Sequence, residues 1–533
     1  MSQMEQLTDV QVEALLPALS EAARATQASV ERFVPPRRGI VQEVAARAHQ
    51  FLLGRRGVGK SSLLRKTEET TKARGSAVVF IDLETLRGVP YPDVLIRLLV
   101  TFLEVLNAEL KSRDERPWTS DGWSLLRLRL RGRRLRRQLE ALLAAPQSAE
   151  HTVKELESQS VDIGVAGDIR ASVGAIVPAS LKIGASARRA RRRDATSEAR
   201  FTKTKMDGLH HAAPHIRRLL EESLARLNGD GAFLLLDDFY HVSQDDQPHV
   251  LAYLHQVVKN LDVWLKVSGV RHRLNPFLEG DPPMGLQVGQ DAAEVSLDLT
   301  LDNFGLAKEF LEDVLGGICQ PHNVAINDML TEGGRTRLVL ASGGVARDYL
   351  NLARMALRRA TERTHRTYLP RNRITAEDVN EASAELSSQK QEDLRLDSGE
   401  NAERLRLRLA DVARFCLDFN GTNVFLVAAP DLHETESVHT IGNMSVRSSD
   451  YRGTRFVAFT LDLSNYTGTR SERIKQIDFW ESGGRSELRR AGLIYEPEGT
   501  RVTSDLTDET ASRDPVDWTQ PPLPGMNGEE RSE

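Results

Sequence analysis

Eight residues, from Gly54 to Ser61, place three glycines, a lysine and a serine in a fixed order. Their sequence, GRRGVGKS, matches G-x-x-x-x-G-K-[ST] in full, with an apolar run before it and a helical pattern after it. Glycines let the backbone turn its N–H groups toward an anion, Lys60 supplies charge to phosphate oxygens, and a serine hydroxyl suits Mg²⁺. This segment predicts a phosphate-binding loop. The predicted nucleotide contacts are Gly54, Arg55, Arg56, Gly57, Val58, Gly59, Lys60, Ser61, Ser62 and Asp237.

A second apolar run ends in two carboxylates. The run FLLLDD covers residues 233–238 and has the form of a buried strand followed by acidic residues. We expect Asp237 to hold Mg²⁺ through water, so that Ser61 and Asp237 form the metal site, and Asp238 to polarise the attacking water. An aspartate is shorter than the glutamate more usual at the second position, which is consistent with slow turnover or with a switching role.

Two further polar residues fit the same chemistry. Ser268 ends the apolar run 263–267, where it could orient a lytic water; the alternative is a serine that caps a strand. Arg347 follows SGGVA at the start of a helical pattern, where it could contact the γ-phosphate from a lid; the alternative is a solvated arginine. The candidate catalytic set is therefore Asp238, Ser268 and Arg347.

The elements that must position these residues alternate between strand and helix. Short apolar runs predict strands at 51–53, 77–83, 232–236, 262–268 and 295–299. Helical patterns separate most of them, which favours a parallel α/β sheet. The expected domains are an N-terminal helix at 1–30, a nucleotide-binding domain at 31–300 with an insertion at about 111–203, a helical lid at 301–387, a C-terminal domain at 402–500 and an acidic tail at 501–533.

The insertion contains a pattern found nowhere else in the chain. Residues 111–157 are charged and have a helical pattern. Residues 160–187 alternate apolar and small residues with period two, which predicts a β-hairpin or small meander. The run from Arg188 to Arg193 follows, and we expect it to contact a nucleic-acid backbone. The alternatives are a solvated basic linker beside a packed hairpin, or a hairpin that inserts into a membrane.

Composition excludes several classes of protein. The chain has 533 residues, of which 40% are hydrophobic and 28% charged, as in globular proteins. It has two cysteines far apart in sequence, no secretory signal and no run of eighteen apolar residues, so we expect a cytoplasmic protein without a membrane span. The net charge is −5, but residues 496–533 hold ten acidic and three basic residues, so the body is mildly basic.

Together these motifs resemble the AAA+ ATPases, in particular the origin-recognition and replication-initiator branch. The resemblance rests on FLLGRRGVGKSSLL, FLLLDD, LKVSGVRHR, ASGGVARDYLNLARMAL and ITAEDVNEA. It implies an ATP- and Mg²⁺-dependent ATPase in which Ser268 is sensor 1, Arg347 is sensor 2 and residues 33–37 flank the adenine. It also implies a winged-helix-like domain at 402–500, and DNA, partner proteins or further copies of the chain as partners.

The chain departs from this family at two points. Ala346 stands where a proline usually precedes the sensor arginine, and no arginine lies between Leu274 and Val295, where the arginine finger is usual. Arg271 and Arg273 are the nearest substitutes. The pair Asp237 and Asp238 also suits the STAND class of signalling NTPases. The alternative function is therefore a slow switch, for example in antiphage defence, that works through protein contacts.

Overall fold

The computed structural model describes most of the chain in two compact units. The described residues are 8–24, 32–112, 120–145, 148–155, 197–226, 231–299, 301–367, 373–386, 402–428, 446–451, 454–461, 463, 477 and 493–495. The first unit, here called the lid unit, comprises Met1–Arg38, Gly54–Ser62 and Leu297–Glu533. The second, here called the sheet unit, comprises Gly39–Leu53 and Leu63–Ser296.

Helices and strands alternate through the first half of the chain, and helices follow. The α-helices are α1 (Asp9–Ala22), α2 (Ile40–Val44), α3 (Lys60–Ala73), α4 (Asp93–Ser112), α5 (Ser120–Ala144), α6 (Lys205–Leu224), α7 (Gln247–Val258), α8 (Phe304–Cys319), α9 (Ile326–Met329), α10 (Glu332–Ser342), α11 (Ala346–Thr367) and α12 (Ala402–Arg414). The strands are β1 (Gln50–Leu53), β2 (Ala77–Asp82), β3 (Ser148–Glu155), β4 (Ser197–Thr204), β5 (Ala232–Asp237), β6 (Val263–Gly269), β7 (Phe277–Leu278), β8 (Met284–Gly285), β9 (Ala293–Ser296), β10 (Val424–Ala428), β11 (Val446–Tyr451) and β12 (Thr454–Thr460).

Five strands form one parallel sheet in the order β2-β5-β6-β1-β9. Leu53 at the end of β1 pairs with Gly269 at the end of β6, and Asp82 pairs with Asp237 at the ends of β2 and β5. The carboxyl ends of these strands therefore meet at one edge of the sheet. The predicted parallel α/β sheet is confirmed.

The sheet lies in the core of its unit. All six residues of β5 are buried, as is typical of a central parallel strand with both faces covered. Apolar side chains of α4, α6 and α7 pack in the same cluster as the strands. Burial of each large apolar side chain contributes roughly 1.5–3 kcal/mol, so this cluster holds the carboxyl edge in place.

The lid unit is helical at its centre. Val12, Leu15 and Leu19 of α1 are buried in the same apolar cluster as residues of α8, α10 and α11. Thr8 begins α1 with a capping box to Gln11. The N-terminal helix thus shares its core with the predicted lid helices.

The insertion corrects one prediction. Residues 148–155, expected to be helical, form β3, which pairs in antiparallel register with β4 to give a two-stranded ribbon. The side chain of Lys205 at the start of α6 is buried, and its Nζ donates to Asp93 Oδ1 at 2.7 Å and to the Leu143 carbonyl at 3.1 Å. These bonds hold α6 against α4 and α5. The predicted hairpin at 160–187 and the run from Arg188 to Arg193 lie outside the described residues.

The C-terminal region combines a helix with an antiparallel sheet. Helix α12 continues into one π-helical turn at Phe415–Phe419, and the sheet order is β10-β12-β11. Strand β11 was not predicted from the sequence. Asn423, just before β10, links the end of β12 to Ile477, because its Nδ2 donates to Thr460 Oγ1 and its Oδ1 accepts from the Ile477 N–H. The predicted linker at 388–401 and tail at 501–533 lie outside the described residues.

Among the helices that the structure describes, none combines the length and apolar character needed to cross a membrane.

Candidate nucleotide-binding site

The glycine-rich loop begins directly after β1. Gly57 and Gly59 have φ values of 86° and 98°, in the region that L side chains rarely adopt. A Cβ on Gly57 would lie 2.6 Å from Arg347 Cβ, whereas a Cβ on Gly59 would meet nothing within 4 Å. Gly59 is therefore required for its backbone conformation, and Gly57 is also required for the close approach of α11.

Lys60 lies at the start of α3 with its side chain against the loop. It is only 5% exposed, and its Nζ donates to the carbonyls of Gly54 and Arg55 at 3.0 Å each. Both acceptors are backbone atoms of the loop. The ammonium group is thus held at the centre of the turn, where the sequence predicts phosphate oxygens.

The two carboxylates of the second motif occupy different environments. Asp237, at the end of β5, is 3% exposed, and its Oδ1 accepts from the Ser268 hydroxyl at 2.5 Å. The N–H of Asp238 donates both to Asp237 Oδ1 at 3.1 Å and to Ser268 Oγ at 2.9 Å. One buried serine therefore joins both motif residues in a short hydrogen-bonded triangle.

The backbone at Asp238 has a conformation uncommon for a residue other than glycine. Its φ and ψ are 50° and 49°, in the left-handed region, which costs an aspartate about 1 kcal/mol. Backbone strain of this kind clusters at functional sites. This conformation occurs at the residue directly after the end of β5.

The order of strands in the sheet determines the position of Ser268. Strand β6 lies between β5, which ends in Asp237, and β1, which leads into the glycine loop. Ser268 pairs with Leu52, two residues before Gly54. The sequence predicted a polar group between the two halves of the site, and the structure adds that the Ser268 hydroxyl is bonded to Asp237.

Arg347 lies in the first turn of α11, and its backbone N–H donates to the Gly57 carbonyl at 3.1 Å. Its side chain is exposed. The predicted lid arginine is therefore in direct contact with the loop through its main chain.

Arg55 has a role that sequence reasoning missed. Its backbone N–H donates to Asp298 Oδ1 at 2.8 Å, and its guanidinium donates to the carbonyls of Leu299 at 3.0 Å and Gly343 at 2.8 Å. The motif permits any residue at this position, so no signal in the motif could have indicated these contacts. The Arg55 side chain thus links the glycine loop to Leu299, before α8, and to Gly343, at the end of α10.

The two arginines considered as substitutes for an arginine finger have partners within the chain. Arg271 forms an ion pair with Glu294 of β9. The guanidinium of Arg273 lies over the Tyr240 ring, 5.2 Å from its centroid.

Two basic groups near the start of β1 are perturbed by burial. Burial lowers the pKa of Lys266 to about 7, while its Nζ donates to the Ala46 and Ala48 carbonyls and to Gln50 Oε1. Burial, and then the nearby His255 and Lys266, lower the pKa of His49 to about 4. The Nδ1 of His49 accepts from the Leu265 N–H at 3.1 Å, which requires the neutral ring. Both groups brace the segment that enters β1.

Comparisons with known proteins returned solved structures. No protein-family model matches the chain, and no curated protein matches it. One similar structure is the Aeropyrum pernix ORC1 protein in complex with DNA, with a TM-score of 0.31 and 12% identity, covering 86% of this chain and 91% of that chain. Another is Cdc6p from Pyrobaculum aerophilum, with a TM-score of 0.29 and 14% identity, covering 82% and 90%.

The fold follows from the architecture of this chain. A five-stranded parallel sheet carries the glycine loop after β1 and the aspartate pair at the end of β5, and a helical region follows β9. The chain has a parallel α/β fold with a glycine-rich loop after its first strand, together with an inserted region and an α+β C-terminal region.

Proposed function

We propose that this protein binds ATP with Mg²⁺ at the glycine loop, hydrolyses it at the carboxyl edge of the sheet, and acts on DNA. The observation that carries the proposal is the bond between Ser268 Oγ and Asp237 on neighbouring strands of the sheet that leads into the loop. A buried carboxylate, an adjacent serine and a second carboxylate on a strained turn form a site suited to water activation.

In this proposal the glycine loop binds the phosphates of ATP, and hydrolysis takes place at the carboxyl edge of the sheet. Backbone N–H groups of the loop and the Lys60 ammonium hold the phosphates. Asp238 accepts a proton from a water whose oxygen bonds to the γ-phosphorus, while the bond from phosphorus to the bridging oxygen breaks and ADP leaves. Ser268 fixes the Asp237 carboxylate, and Arg347 contacts the γ-phosphate from α11.

The residues fit a magnesium ion by the chemistry of their donors. Hydroxyl and carboxylate oxygens are ligands that Mg²⁺ prefers, and Ser61 and Asp237 supply one of each. Asp237 is buried and its Oδ1 is already oriented by two donors, which leaves Oδ2 to accept from a metal-bound water. The ion would neutralise charge on the phosphates when bound.

ATP hydrolysis by the wild-type chain and by Asp238→Asn tests this assignment. We expect the variant to bind ATP with the wild-type affinity and to lose roughly 10²–10⁴-fold in turnover, the usual contribution of a general base. Equal turnover would remove Asp238 from the reaction. Failure of the wild-type protein to bind ATP would overturn the whole proposal, whereas tight binding without turnover would favour a switch.

Action on DNA is supported by the exposed face of α5. The buried face of this helix contains Leu128, Leu135 and Leu139, and the opposite face exposes arginines. Four exposed arginines have no hydrogen bond or ion pair within the described part of the chain: Arg127, Arg133, Arg134 and Arg137. Unpaired cations along about 15 Å of helix suit a row of phosphates.

Salt dependence separates this role in DNA binding from a structural one. Replacing Arg133, Arg134 and Arg137 with glutamine should weaken DNA binding, and the slope of log K against log salt should fall by about 0.9 for each phosphate that no longer binds an arginine. The matched control is Arg131→Gln on the same helix, because Arg131 is already paired with Glu222 at 2.6 Å. Equal DNA affinity and slope in the triple variant and the wild type would exclude α5 as the DNA-binding surface.

A further inference from the structure

We infer that Arg55 couples occupancy of the phosphate loop to the position of the lid, through the turn formed by residues 343–345, here called the lid turn. The inference rests on the proposed nucleotide function. It concerns a residue that the loop motif leaves unspecified, and it assigns the Arg55 side chain to the lid, whereas the sequence alone assigned it to the nucleotide.

The lid turn joins two helix ends whose backbone groups need partners. Helix α10 ends at Ser342, with Gly343 in the left-handed conformation at φ 57° and ψ 30°. The last carbonyls of a helix lack partners within it and carry the negative end of its dipole. The Arg55 guanidinium donates to the Gly343 carbonyl at 2.8 Å, so a cation of the loop satisfies this end.

The other side of the lid turn is bonded to the same loop. Helix α11 begins at Ala346, and the N–H of Arg347 in its first turn donates to the Gly57 carbonyl. A Cβ on Gly344 would lie 2.4 Å from the Leu299 carbonyl and 3.7 Å from the Arg55 guanidinium. The loop therefore contacts the end of α10 through a side chain and the start of α11 through its backbone, with little space between.

Arg55 is also bonded to the phosphate-binding lysine. Its carbonyl accepts from Lys60 Nζ at 3.0 Å, and its N–H donates to Asp298 Oδ1 at 2.8 Å. The side chain is 19% exposed and donates to Asp298 Oδ1 and to the carbonyls of Leu299 and Gly343, and these three acceptors hold it in one conformation. If Lys60 turns toward phosphate oxygens, its hydrogen bond to the Arg55 carbonyl changes. Arg55 is also the residue whose side chain bonds to the lid turn. If phosphate binding shifts the lid turn through Arg55, the position of the lid turn must alter phosphate affinity by the same factor.

Arg55 is thus a positioning residue for Arg347. A lysine should replace it only in part, because the guanidinium uses Nη2 for the carbonyls of Leu299 and Gly343 and Nε for Asp298 Oδ1, whereas an ammonium has a single nitrogen. Methionine keeps most of the apolar stem and removes all donors, so Arg55→Met isolates the hydrogen bonds from the packing.

Hydrogen exchange of the backbone amides of residues 343–349 tests the inference, with and without a non-hydrolysable ATP analogue. In Arg55→Met we expect protection of these amides to fall about tenfold without nucleotide, the effect of removing two hydrogen bonds. We also expect the analogue to change their exchange in the wild type and to leave it unchanged in the variant. Arg55→Lys should restore part of the protection and part of the response.

Kinetics provide a second readout. In Arg55→Met the Kd for ATP should change by less than about threefold while kcat falls about tenfold, because phosphate contacts remain and Arg347 is no longer held in place. The control is Arg218→Met on α6, an exposed arginine whose ion pair is with Glu222. It should match the wild type in both measurements.

The outcomes separate this inference from the proposed function. Wild-type protection of residues 343–349 in Arg55→Met would overturn the inference. Reduced protection with a preserved response to the analogue would also overturn it, because Arg55 would then be structural only. A wild-type protein that binds no ATP would refute the proposed function and the coupling with it, while the exchange measured without nucleotide would still report whether Arg55 holds the lid turn.

Discussion

The phosphate loop and the carboxyl edge at Asp237 use opposite kinds of contact. In the loop, cationic side chains and an N–H of the lid helix bond to backbone carbonyls: Lys60 to Gly54 and Arg55, Arg55 to Gly343, and Arg347 to Gly57. At the edge, the short side chains of Asp237 and Ser268 bond to each other and to one N–H.

The difference predicts how each region responds to substitution. In the loop the acceptors of Lys60 are main-chain carbonyls, whose positions the backbone fixes, so the loop should keep its shape when the Lys60 side chain is removed. At the edge each side chain is the partner of another, so removing one leaves a buried polar group unsatisfied. Replacing Lys60 should therefore alter ATP binding with the fold intact, and variants at the edge should alter turnover and stability together.

Lys60→Ala should give the largest effect. The variant removes the charge that the proposed function places on the phosphates, and a hydrogen bond to a charged group contributes about 1.5–3 kcal/mol. We expect ATP affinity to fall about 100-fold, measured by calorimetry, with the unfolding midpoint changed little. Lys72→Ala, at the exposed end of the same helix and paired with Glu68, is the control. Retained affinity in Lys60→Ala would show that the loop does not bind phosphate through this lysine.

Ser268→Ala should have an intermediate effect on both turnover and stability. It removes the donor to Asp237 and one acceptor of the Asp238 N–H, so kcat should fall about tenfold and the free energy of unfolding by about 1–2 kcal/mol. ATP affinity should stay within about threefold, because Ser268 does not contact the phosphates in the proposed site. Single-turnover hydrolysis and urea unfolding give the two values.

Ser223→Ala is the matched control for that substitution. Ser223 is fully buried on α6, and its Oγ has no hydrogen-bond partner in the described structure. Its removal should leave turnover unchanged and stability equal or higher. If Ser268→Ala and Ser223→Ala behave alike, the bond to Asp237 contributes nothing and the contrast between loop and edge fails.

The sequence predicted the loop better than the edge for a physical reason. A glycine loop is a local structure, and its residue types and spacing are dictated by backbone conformation at Gly57 and Gly59. The partnership of Ser268 with Asp237 depends on β6 lying between β5 and β1, and strand order is set by packing between distant segments. The sequence therefore predicted Ser268 as a site residue, but it did not predict the hydrogen bond from Ser268 to Asp237.

The insertion also contains a structure that depends on contacts between segments distant in sequence. Strand β3, SAEHTVKE, contains Ala, Glu and Lys, which are good helix formers, and it was predicted to be helical. Its partner β4 lies about forty residues further along the chain, so the pairing that fixes the ribbon is not a local signal. Arg55 is a third case, because its partner Gly343 is nearly 290 residues away.

The smallest predicted effect concerns the segment that enters β1, and it tests whether the base of the sheet is independent of the edge. The pKa of His49 is about 4 in the folded protein and 6.5 when unfolded, so the folded state holds fewer protons between these values. Stability from His49 is therefore present above pH 6.5 and is lost as the pH falls toward 4.

Allowing for partial exposure of His49, we expect the free energy of unfolding to fall by about 1 kcal/mol between pH 7 and pH 5. The main cause of the lowered pKa is burial of the ring, followed by the nearby His255 and Lys266, and a ring protonated at Nδ1 could not accept from the Leu265 N–H. Glutamine can accept the same bond and does not titrate, so urea unfolding of His49→Gln should show a smaller loss over this range than the wild type. Equal losses would mean that His49 does not couple protonation to the sheet, and a matching fall in kcat would mean that the base and the edge are not independent.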